Sequence, residues 1–227
     1  MIDTVIFDVD GTLAETEEVH RIAFNRAFSE FGLRWRWDEA LYLDLLRVTG
    51  GKERIAHFVS CETGSAVEPE LIAALHKRKT AIYTEIVATG EIELRPGIGD
   101  FLTRARDSGR SLAIATTTTP ANVDALLNAT LGADWRSVFS VVVAGDMVSS
   151  KKPAPDAYLL GLQLLGKPAE NCVAIEDSRN GVRSALAAGL RVIAVRSAYC
   201  AADDLSGAVA RLPDCTGLSL ELLESLP

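Results

Sequence analysis

The sequence predicts an α/β protein, with a Rossmann-like parallel sheet core and an α-helical cap domain inserted after the first strand. After residue 97, short apolar runs alternate with helical patterns, as in a parallel sheet covered by helices on both faces. Before that point, residues 15–91 show helical spacing of apolar residues and no convincing strand. These two patterns together predict the fold class.

The first strand is predicted at residues 4–7, where Thr-Val-Ile-Phe is apolar and rich in β-forming residues. It ends abruptly at the polar turn Asp8-Val9-Asp10-Gly11-Thr12. We therefore assign residues 1–14 and 92–227 to an α/β core. Residues 15–91 form the predicted cap, which we expect to determine substrate specificity.

The rest of the core is predicted from alternating patterns beyond Pro96-Gly97. Helices are expected at residues 98–108, 120–131, 155–165 and 178–188. Strands are expected at residues 112–115, 138–144, 172–175 and 192–195. Thr119 before Pro120 has the arrangement of an N-cap followed by proline at the first helical position.

Composition indicates an ordinary globular protein and excludes some functions. The chain has 227 residues, 48% hydrophobic and 24% charged, and a net charge of −8. An acidic surface repels a phosphate backbone, so we expect no nucleic-acid partner. The sequence has no apolar run of roughly 18 residues and no signal-peptide pattern. We therefore expect a cytoplasmic protein without a membrane partner. We also expect a monomer.

The cysteines do not predict a metal site or a disulfide framework, because they are far apart and include no C-x-x-C pair. We expect four buried free thiols, at Cys61, Cys172, Cys200 and Cys215.

Polar clusters follow four predicted strands, where the carboxyl ends of parallel strands line one crevice. They are Asp8 with Asp10, Thr116 with Thr117, Lys151 with Lys152, and Glu176 with Asp177. Clustered carboxylates repel one another unless a cation is present, and Mg²⁺ is the simplest cation for such oxygen donors. With a lysine and a threonine nearby, the pattern predicts phosphoryl transfer with an aspartate nucleophile.

Each cluster has a simpler explanation when taken alone. A single D-x-D-G is often a turn, threonines cap helices, adjacent lysines lie on solvated loops, and acidic residues are common at helix starts. Their combination at successive strand ends favours the functional interpretation. A receiver-type signalling domain carries similar clusters, but its phospho-accepting aspartate follows a central strand and it has no long helical insert. A catalytically silent binding module would lack Asp8 or Asp10, and both are present.

In this order, Asp8-Val9-Asp10-Gly11-Thr12, Thr116, Lys152-Pro153 and Glu176-Asp177 resemble the four motifs of the haloacid-dehalogenase-like phosphohydrolases. The resemblance implies that Asp8 is the nucleophile and Asp10 the general acid and base. It implies that Thr116 and Lys152 hold the phosphate; Lys152 is preferred to Lys151 because it directly precedes the proline. Magnesium would bind Asp8, the Asp10 backbone carbonyl and Asp177, and Glu176 is either a ligand or lies behind the ligands.

In the implied reaction, Asp10 must carry a proton when the ester oxygen leaves. We expect partial enclosure under a closed cap to raise its pKa toward that task.

The cap contains candidates for a second anion site. Gly50 and Gly51 precede a predicted helix with Lys52 and Arg54, and a basic cluster includes His76 and Lys79. For Lys77 and Arg78 in that cluster, a solvated helix face is an equal alternative. Glu17 could bond sugar hydroxyls, whereas His20 is expected to be packing on an amphipathic helix. Thr117 and Asn122 complete the predicted substrate-binding set.

Four stretches resemble the CbbY group within that family: residues 14–18, 49–55, 93–97 and 115–123. The resemblance implies a small phosphorylated sugar as substrate, with xylulose 1,5-bisphosphate the leading candidate. Related β-phosphoglucomutases use the same aspartate pair. A phosphosugar mutase and a broad-specificity sugar-phosphate phosphatase therefore remain alternatives.

Overall fold

The computed structural model describes residues 2–64 and 68–227; residues 65–67 of the predicted cap lie outside the described residues. Its sheet has six parallel strands in the order β3-β2-β1-β4-β5-β6. The strands are β1 (Thr4–Phe7), β2 (Ser111–Ala115), β3 (Val141–Val143), β4 (Cys172–Glu176), β5 (Arg191–Val195) and β6 (Ala210–Leu212). The predicted fold class is confirmed.

The helices divide between cap and core. Those between β1 and β2 are α1 (Glu17–Glu30), α2 (Glu39–Leu45), α3 (Gly51–Thr63), α4 (Pro69–Val87) and α5 (Ile98–Asp107). Those that follow are α6 (Pro120–Leu131), α7 (Asp156–Leu165), α8 (Arg179–Ala187) and α9 (Leu220–Ser225). The first four form the helical insert, while α5 to α9 flank the sheet.

The central strand explains how the two faces of the sheet are covered. Successive side chains of a strand point to opposite faces. Val5 and Phe7 accordingly pack in the cluster that contains α5 and α6, whereas Ile6 packs in the cluster that contains α7 and α8. Both faces are buried around this strand, which is why Val5, Ile6 and Phe7 are all apolar.

The insert has a hydrophobic core of its own, built largely from aromatic rings. The Trp37 ring lies 4.6 Å from the Phe24 ring and 4.9 Å from the Phe28 ring, centroid to centroid. Ring pairs at such separations add to the stability that burial provides. The division of the chain at residues 14/15 and 91/92 stays a prediction.

The chain passes between core and insert at two adjacent points. The Arg95 backbone N–H donates to Leu13 O at 2.8 Å, which joins the outgoing and returning segments. The Arg95 guanidinium, itself buried, donates to the carbonyls of Gly11 and Arg196. The crossing is therefore tied to the turn that carries Asp10.

Two core strands differ from the prediction. β3 spans only Val141–Val143, because a 3-10 helix at Trp135–Ser137 continues into a turn in which Val138 N–H donates to Trp135 O. The edge strand β6 was not predicted, because it is three residues long with an arginine at its centre.

The expectation of four buried thiols is wrong for Cys61, which is exposed on α3, and for Cys200, which is half-buried. Among the described residues, no helix has the length and apolar character that crossing a bilayer requires.

Candidate active site

The strand ends bring a lysine between two carboxylates. Asp8 follows β1, and its backbone N–H continues the sheet by donating to Ile175 O at 3.0 Å. Lys152 Nζ lies 2.6 Å from Asp8 Oδ1 and 2.6 Å from Glu176 Oε1. Tyr158 on α7 donates its hydroxyl to the same Glu176 oxygen at 2.5 Å. Glu176 thus holds the ammonium of Lys152 against Asp8.

The pairing shows which lysine of the doublet reaches Asp8. Lys151 Nζ instead donates to the backbone carbonyls of Gly145 and Val148, and so fixes its own loop. The preference for Lys152 agrees with this geometry.

Asp177 is a further carboxylate close to Asp8. Its carboxylate accepts hydrogen bonds from Ser197 Oγ at 2.6 Å and from Thr12 Oγ1 at 3.4 Å. A Cβ at Gly11 would lie 2.1 Å from Asp177 Oδ2, and Gly11 has φ +78°, so only glycine fits this turn. Carboxylate oxygens of Asp8, Glu176 and Asp177 come within 4.8 Å of one another.

The burial of this cluster shifts the pKa values of its carboxyl groups. Burial raises the pKa of Asp8 to about 7, an effect opposed by Lys152 and reinforced by Glu176 and Asp10. Burial, Asp8 and Glu176 likewise raise the pKa of Asp177. Burial disfavours the charged form of Lys152, but the two adjacent carboxylates outweigh it and raise the pKa of Lys152. Extra positive charge at this site would lower the cost of ionising both aspartates.

Asp10 belongs to a different set of contacts, which reaches into the cap. Its Oδ1 accepts from Thr16 Oγ1 at 2.5 Å and lies 3.0 Å from His20 Nε2. Lys79 Nζ, buried on α4, lies 2.6 Å from His20 Nδ1. Two ammonium-type donors cannot face each other, so the pair shares one proton: either a charged Lys79 donates to Nδ1, or a charged His20 donates from Nδ1 to a neutral Lys79. In both cases Nε2 carries a hydrogen. His20 then donates to Asp10.

The expected rise in the pKa of Asp10 is not what the structure shows. Burial alone would raise this pKa, but His20, Thr16 and the charge of Lys79 together lower it to about 2. The series of contacts from Lys79 through His20 to Asp10 also corrects the interpretation of His20 as packing alone. Its ring stacks on Tyr83 at 4.2 Å, centroid to centroid, but it also holds Asp10. Burial lowers the pKa of Lys79 to about 7, opposed by Asp10 and Glu17.

The loop after β2 supplies hydroxyl and amide groups. Thr116 is buried, its backbone N–H donates to Val143 O at 3.0 Å, and its hydroxyl accepts from Thr118 N at 3.2 Å. Asn122 is buried on α6 and donates to Thr118 Oγ1 at 3.0 Å. Within the described chain, Asn122 Oδ1 has no hydrogen-bond partner. Such a buried acceptor is costly unless a ligand pairs with it.

The glycines of the cap loop are explained by close packing. A Cβ at Gly51 would lie 2.6 Å from His76 Nε2, and one at Gly50 would lie 2.2 Å from Glu53 Oε2. His76 is therefore packed against the start of α3. Burial lowers the pKa of His76 to about 3, and Lys79 and Lys52 act in the same direction, so its ring is neutral near pH 7.

Arg54 and Glu17 are linked by a tyrosine. Arg54 Nη1 donates to Tyr42 Oη at 3.0 Å, and Tyr42 donates its hydroxyl to Glu17 Oε2 at 2.7 Å. Arg54 Nε is 3.3 Å from Val48 O. This network fixes both predicted substrate-binding side chains on the cap.

One cavity of about 940 Å³ between core and cap brings almost all predicted site residues together. From the core it is lined by Asp8, Asp10, Thr116, Thr117, Asn122, Lys152 and Asp177, and from the cap by Glu17, Gly50, Gly51, Lys52, Arg54, His76 and Lys79. Glu176 does not line it, because it is fully buried beneath Lys152. Arg78 lies elsewhere and pairs with Glu30 at 2.5 Å and Glu85 at 3.0 Å, which supports the alternative of a solvated helix face.

Several residues that hold the site were not predicted from the sequence. Ser197 follows β5 as the other clusters follow their strands, so the same rule would have found it. Thr16 could have been found as the residue before the first turn of α1. Tyr42 and Tyr158 are buried aromatic residues within helices, and nothing in their local sequence separates them from core positions.

Comparison with known proteins shows which family has this arrangement. Residues 2–189 match the family model of haloacid dehalogenase-like hydrolases. The chain belongs to this family. The motifs at Asp8, Thr116, Lys152 and Glu176-Asp177 all fall inside the matched segment.

Among haloacid dehalogenase-like hydrolases, the chain is most informatively compared with CbbY proteins. It is 52% identical to protein CbbY of Rhodobacter capsulatus over 226 residues, which cover 100% of this chain and 99% of that protein. CbbY from Rhodobacter sphaeroides in complex with phosphate has a TM-score of 0.93 and 47% identity, with coverage of 99% and 100%. A mutant of it in complex with xylulose-(1,5)bisphosphate has a TM-score of 0.92 and 47% identity, with coverage of 96% and 97%. The expected family, CbbY group and enzyme class, a sugar-phosphate phosphatase, are confirmed.

Proposed function

We propose that this protein is a Mg²⁺-dependent phosphatase that hydrolyses a small sugar bisphosphate, most favourably xylulose 1,5-bisphosphate, through a phosphoaspartate on Asp8. The observation that carries the proposal is the placement of cations in the cavity. Lys152 lies at the nucleophile end, and Lys52 and Arg54 lie at the cap end. A ligand with two phosphates can use both groups of cations at once.

The first phosphate binds next to Asp8. Lys152, already 2.6 Å from Asp8 Oδ1, offsets the repulsion between that carboxylate and a phosphate dianion. Thr116, Thr117 and the loop that leads into α6 supply hydroxyl and N–H donors. Asn122 offers its unpartnered Oδ1 to a sugar hydroxyl.

In the first chemical step, an Asp8 oxygen attacks phosphorus and the bond to the sugar oxygen breaks. Asp10 is a carboxylate in the substrate-free protein, because its pKa is about 2, so it must take up a proton from solvent when the substrate binds. That proton passes to the departing oxygen, and the sugar leaves as a neutral alcohol. Asp10 is then a carboxylate, the state that the hydrogen bonds from Thr16 and His20 stabilise.

In the second step, water attacks the phosphoaspartate. Asp10 accepts the proton of that water, the bond between Asp8 and phosphorus breaks, and inorganic phosphate leaves. Asp10 regains its proton and Asp8 its free carboxylate, so the cycle closes.

The donor set fits magnesium. Mg²⁺ prefers carboxylate and carbonyl oxygens, and Asp8 and Asp177 present carboxylates to the same volume. Asp10 would contribute its main-chain carbonyl, because its carboxylate is held by Thr16 and His20. Glu176 would not be a ligand, because its oxygens accept from Lys152, Tyr158 and Asp177 N. When bound, the ion supplies positive charge beside the phosphate and Asp8.

The second phosphate binds under the cap. Lys52 is half-exposed and 3.8 Å from Asp146, so its ammonium remains available to an anion. Arg54 uses Nη1 and Nε for Tyr42 and Val48, and its Nη2 is left for a phosphate. Lys79 is buried against His20, so it acts on the substrate indirectly, through His20 and Asp10. These residues come from one chain, so a monomer is sufficient for the proposed activity.

The test is phosphate release, with Mg²⁺ and with excess EDTA, from xylulose 1,5-bisphosphate, xylulose 5-phosphate, β-glucose 1-phosphate and p-nitrophenyl phosphate. We expect Mg²⁺-dependent turnover, with kcat/KM for the bisphosphate roughly 30-fold or more above that for each of the three monophosphates, because only the bisphosphate binds the core and cap cations at once. Equal efficiency on mono- and bisphosphates would favour a broad-specificity phosphatase. Isomerisation of β-glucose 1-phosphate without phosphate release would identify a mutase.

A further inference from the structure

An asparagine of the core holds the loop of the cap that carries the substrate-binding residues. Asn180 Nδ2 donates to Arg47 O at 3.0 Å and to Thr49 Oγ1 at 2.9 Å. The partners are 133 and 131 residues apart in the sequence, and all three residues line the cavity between core and cap. Both hydrogens of the amide are used in this contact, named here the Asn180 anchor.

The position of Asn180 in the core is fixed independently of the cap. It is the second residue of α8, which begins directly after Glu176-Asp177. The N-cap of this helix is Ser178, whose hydroxyl accepts from Gly181 N at 3.1 Å. The side chain of Asn180 is therefore not needed to start the helix.

The loop that the anchor holds determines where the cap cations stand. Thr49 directly precedes Gly50, the N-cap of α3, and the first turn of α3 contains Gly51, Lys52 and Arg54. The Asn180 anchor therefore sets the position of this turn relative to Asp8 and Lys152. The two chain crossings, at Leu13 and Arg95, flank the insert in the sequence, and their hydrogen bond joins them to each other and not to this loop.

We propose that Asn180 is a positioning residue for substrate recognition: its amide holds the loop at residues 47–49 so that Lys52 and Arg54 face a phosphate held at Asp8. The part about the second phosphate rests on the function proposed above. The part about the loop does not, because the anchor is present in the protein without substrate.

Asn180→Ala removes the anchor without weakening α8, since alanine has the higher helix propensity. Thr49→Val removes one acceptor and keeps the side-chain shape. Asn128→Ala is the matched control, because Asn128 is exposed on α6 and its amide donates only within that helix, to Asp124 O at 2.7 Å.

The first measurement is hydrogen–deuterium exchange of the protein alone. We expect amides at residues 46–52 to exchange several-fold faster in Asn180→Ala than in wild type or Asn128→Ala, because two hydrogen bonds that hold the loop are lost. Amides of α6 should be unchanged by Asn180→Ala. Unchanged exchange at residues 46–52 would overturn the proposal.

The second measurement is kinetic, with xylulose 1,5-bisphosphate and p-nitrophenyl phosphate in Mg²⁺. We expect Asn180→Ala to lower kcat/KM for the bisphosphate about 10-fold, mainly through KM, and to lower it for the aryl phosphate at least 5-fold less. Thr49→Val combined with Asn180→Ala should cost less than the product of the two single losses. Equal losses on both substrates, carried by kcat, would contradict a positioning role. Lack of bisphosphate preference in the wild type would refute the proposed function alone, because the exchange comparison still decides the anchor.

Discussion

Replacing Arg54 with alanine tests the second phosphate site most directly. Arg54 is 8% exposed, and its guanidinium carbon lies 5.2 Å from the centre of the Tyr42 ring. Its Nη1 and Nε are engaged with Tyr42 and Val48, so the side chain is held in place before substrate arrives. Little ordering is then required on binding, and most of the interaction with a phosphate appears as affinity.

The expected losses in kcat/KM and in stability for Arg54→Ala follow from the burial and the fixed position of this side chain. Removing a buried charged donor that faces a dianion costs about 2–4 kcal/mol, a roughly 30- to 1000-fold loss in kcat/KM. Loss of the contacts to Tyr42 and Val48 should also lower the free energy of unfolding by about 1–2 kcal/mol. For a chain of this length, that corresponds to a Tm decrease of about 2–8 °C.

The assay compares xylulose 1,5-bisphosphate with p-nitrophenyl phosphate for wild type, Arg54→Ala and Arg78→Ala. Arg78→Ala is the control, since Arg78 pairs with Glu30 and Glu85 away from the cavity. We expect the large loss only for Arg54→Ala with the bisphosphate, because the aryl phosphate does not reach the cap. Equal losses on both substrates would indicate a folding or closure defect and would remove the case for a second phosphate site.

Three further predictions concern the core. Asp8→Asn should lower turnover about 10⁴-fold or more while the fold survives, and an assay of Mg²⁺-dependent phosphate release decides it. Gly181→Ala would place a Cβ 1.9 Å from a Glu176 oxygen, so we expect a few kcal/mol of destabilisation and weaker activity, measured by denaturant unfolding and kinetics. Because the folded-state pKa of Asp10 is depressed to about 2, its ionisation contributes stability above about pH 4 that is lost as pH falls toward 2. Thr16→Val should therefore be less stable than wild type by about 1 kcal/mol at pH 5, and a difference that persisted unchanged at pH 2 would refute this account.

The core of the site was predictable because one topological rule places it. In a parallel sheet the carboxyl ends of the strands meet at one edge, so Asp8, Thr116 and Asp177 needed only correct strand assignments. Ser197, two residues after the end of β5, obeys the same rule, although it was not predicted. Lys152 was predictable from its motif, although its contact with both Asp8 and Glu176 was not.

The cap contacts could not be predicted in the same way, because they depend on how helices pack. Asn180 and Thr49 have no sequence pattern that relates them, and they meet only when the α2–α3 loop is placed over α8. Tyr42 is buried among aromatic residues, where periodicity indicates core packing, yet its hydroxyl links Arg54 to Glu17. Amphipathic spacing identifies the buried face of a helix, and it does not say which buried side chain meets a polar partner.

The expected rise in the pKa of Asp10 was wrong for the same reason, because it too depends on how the helices pack. The difference shows that cap side chains change the pKa of a carboxyl group on the core. Enclosure alone favours a protonated Asp10, but the side chains that enclose it are donors: His20 on α1, and behind it Lys79 on α4, 59 residues away in the sequence. Their effect exceeds that of burial and lowers the pKa of Asp10. The pKa of Asp10 on the core is thus lowered by side chains of two cap helices. A movement of the cap that separates His20 from Asp10 would raise that pKa, so cap position and proton transfer are coupled through this one hydrogen bond.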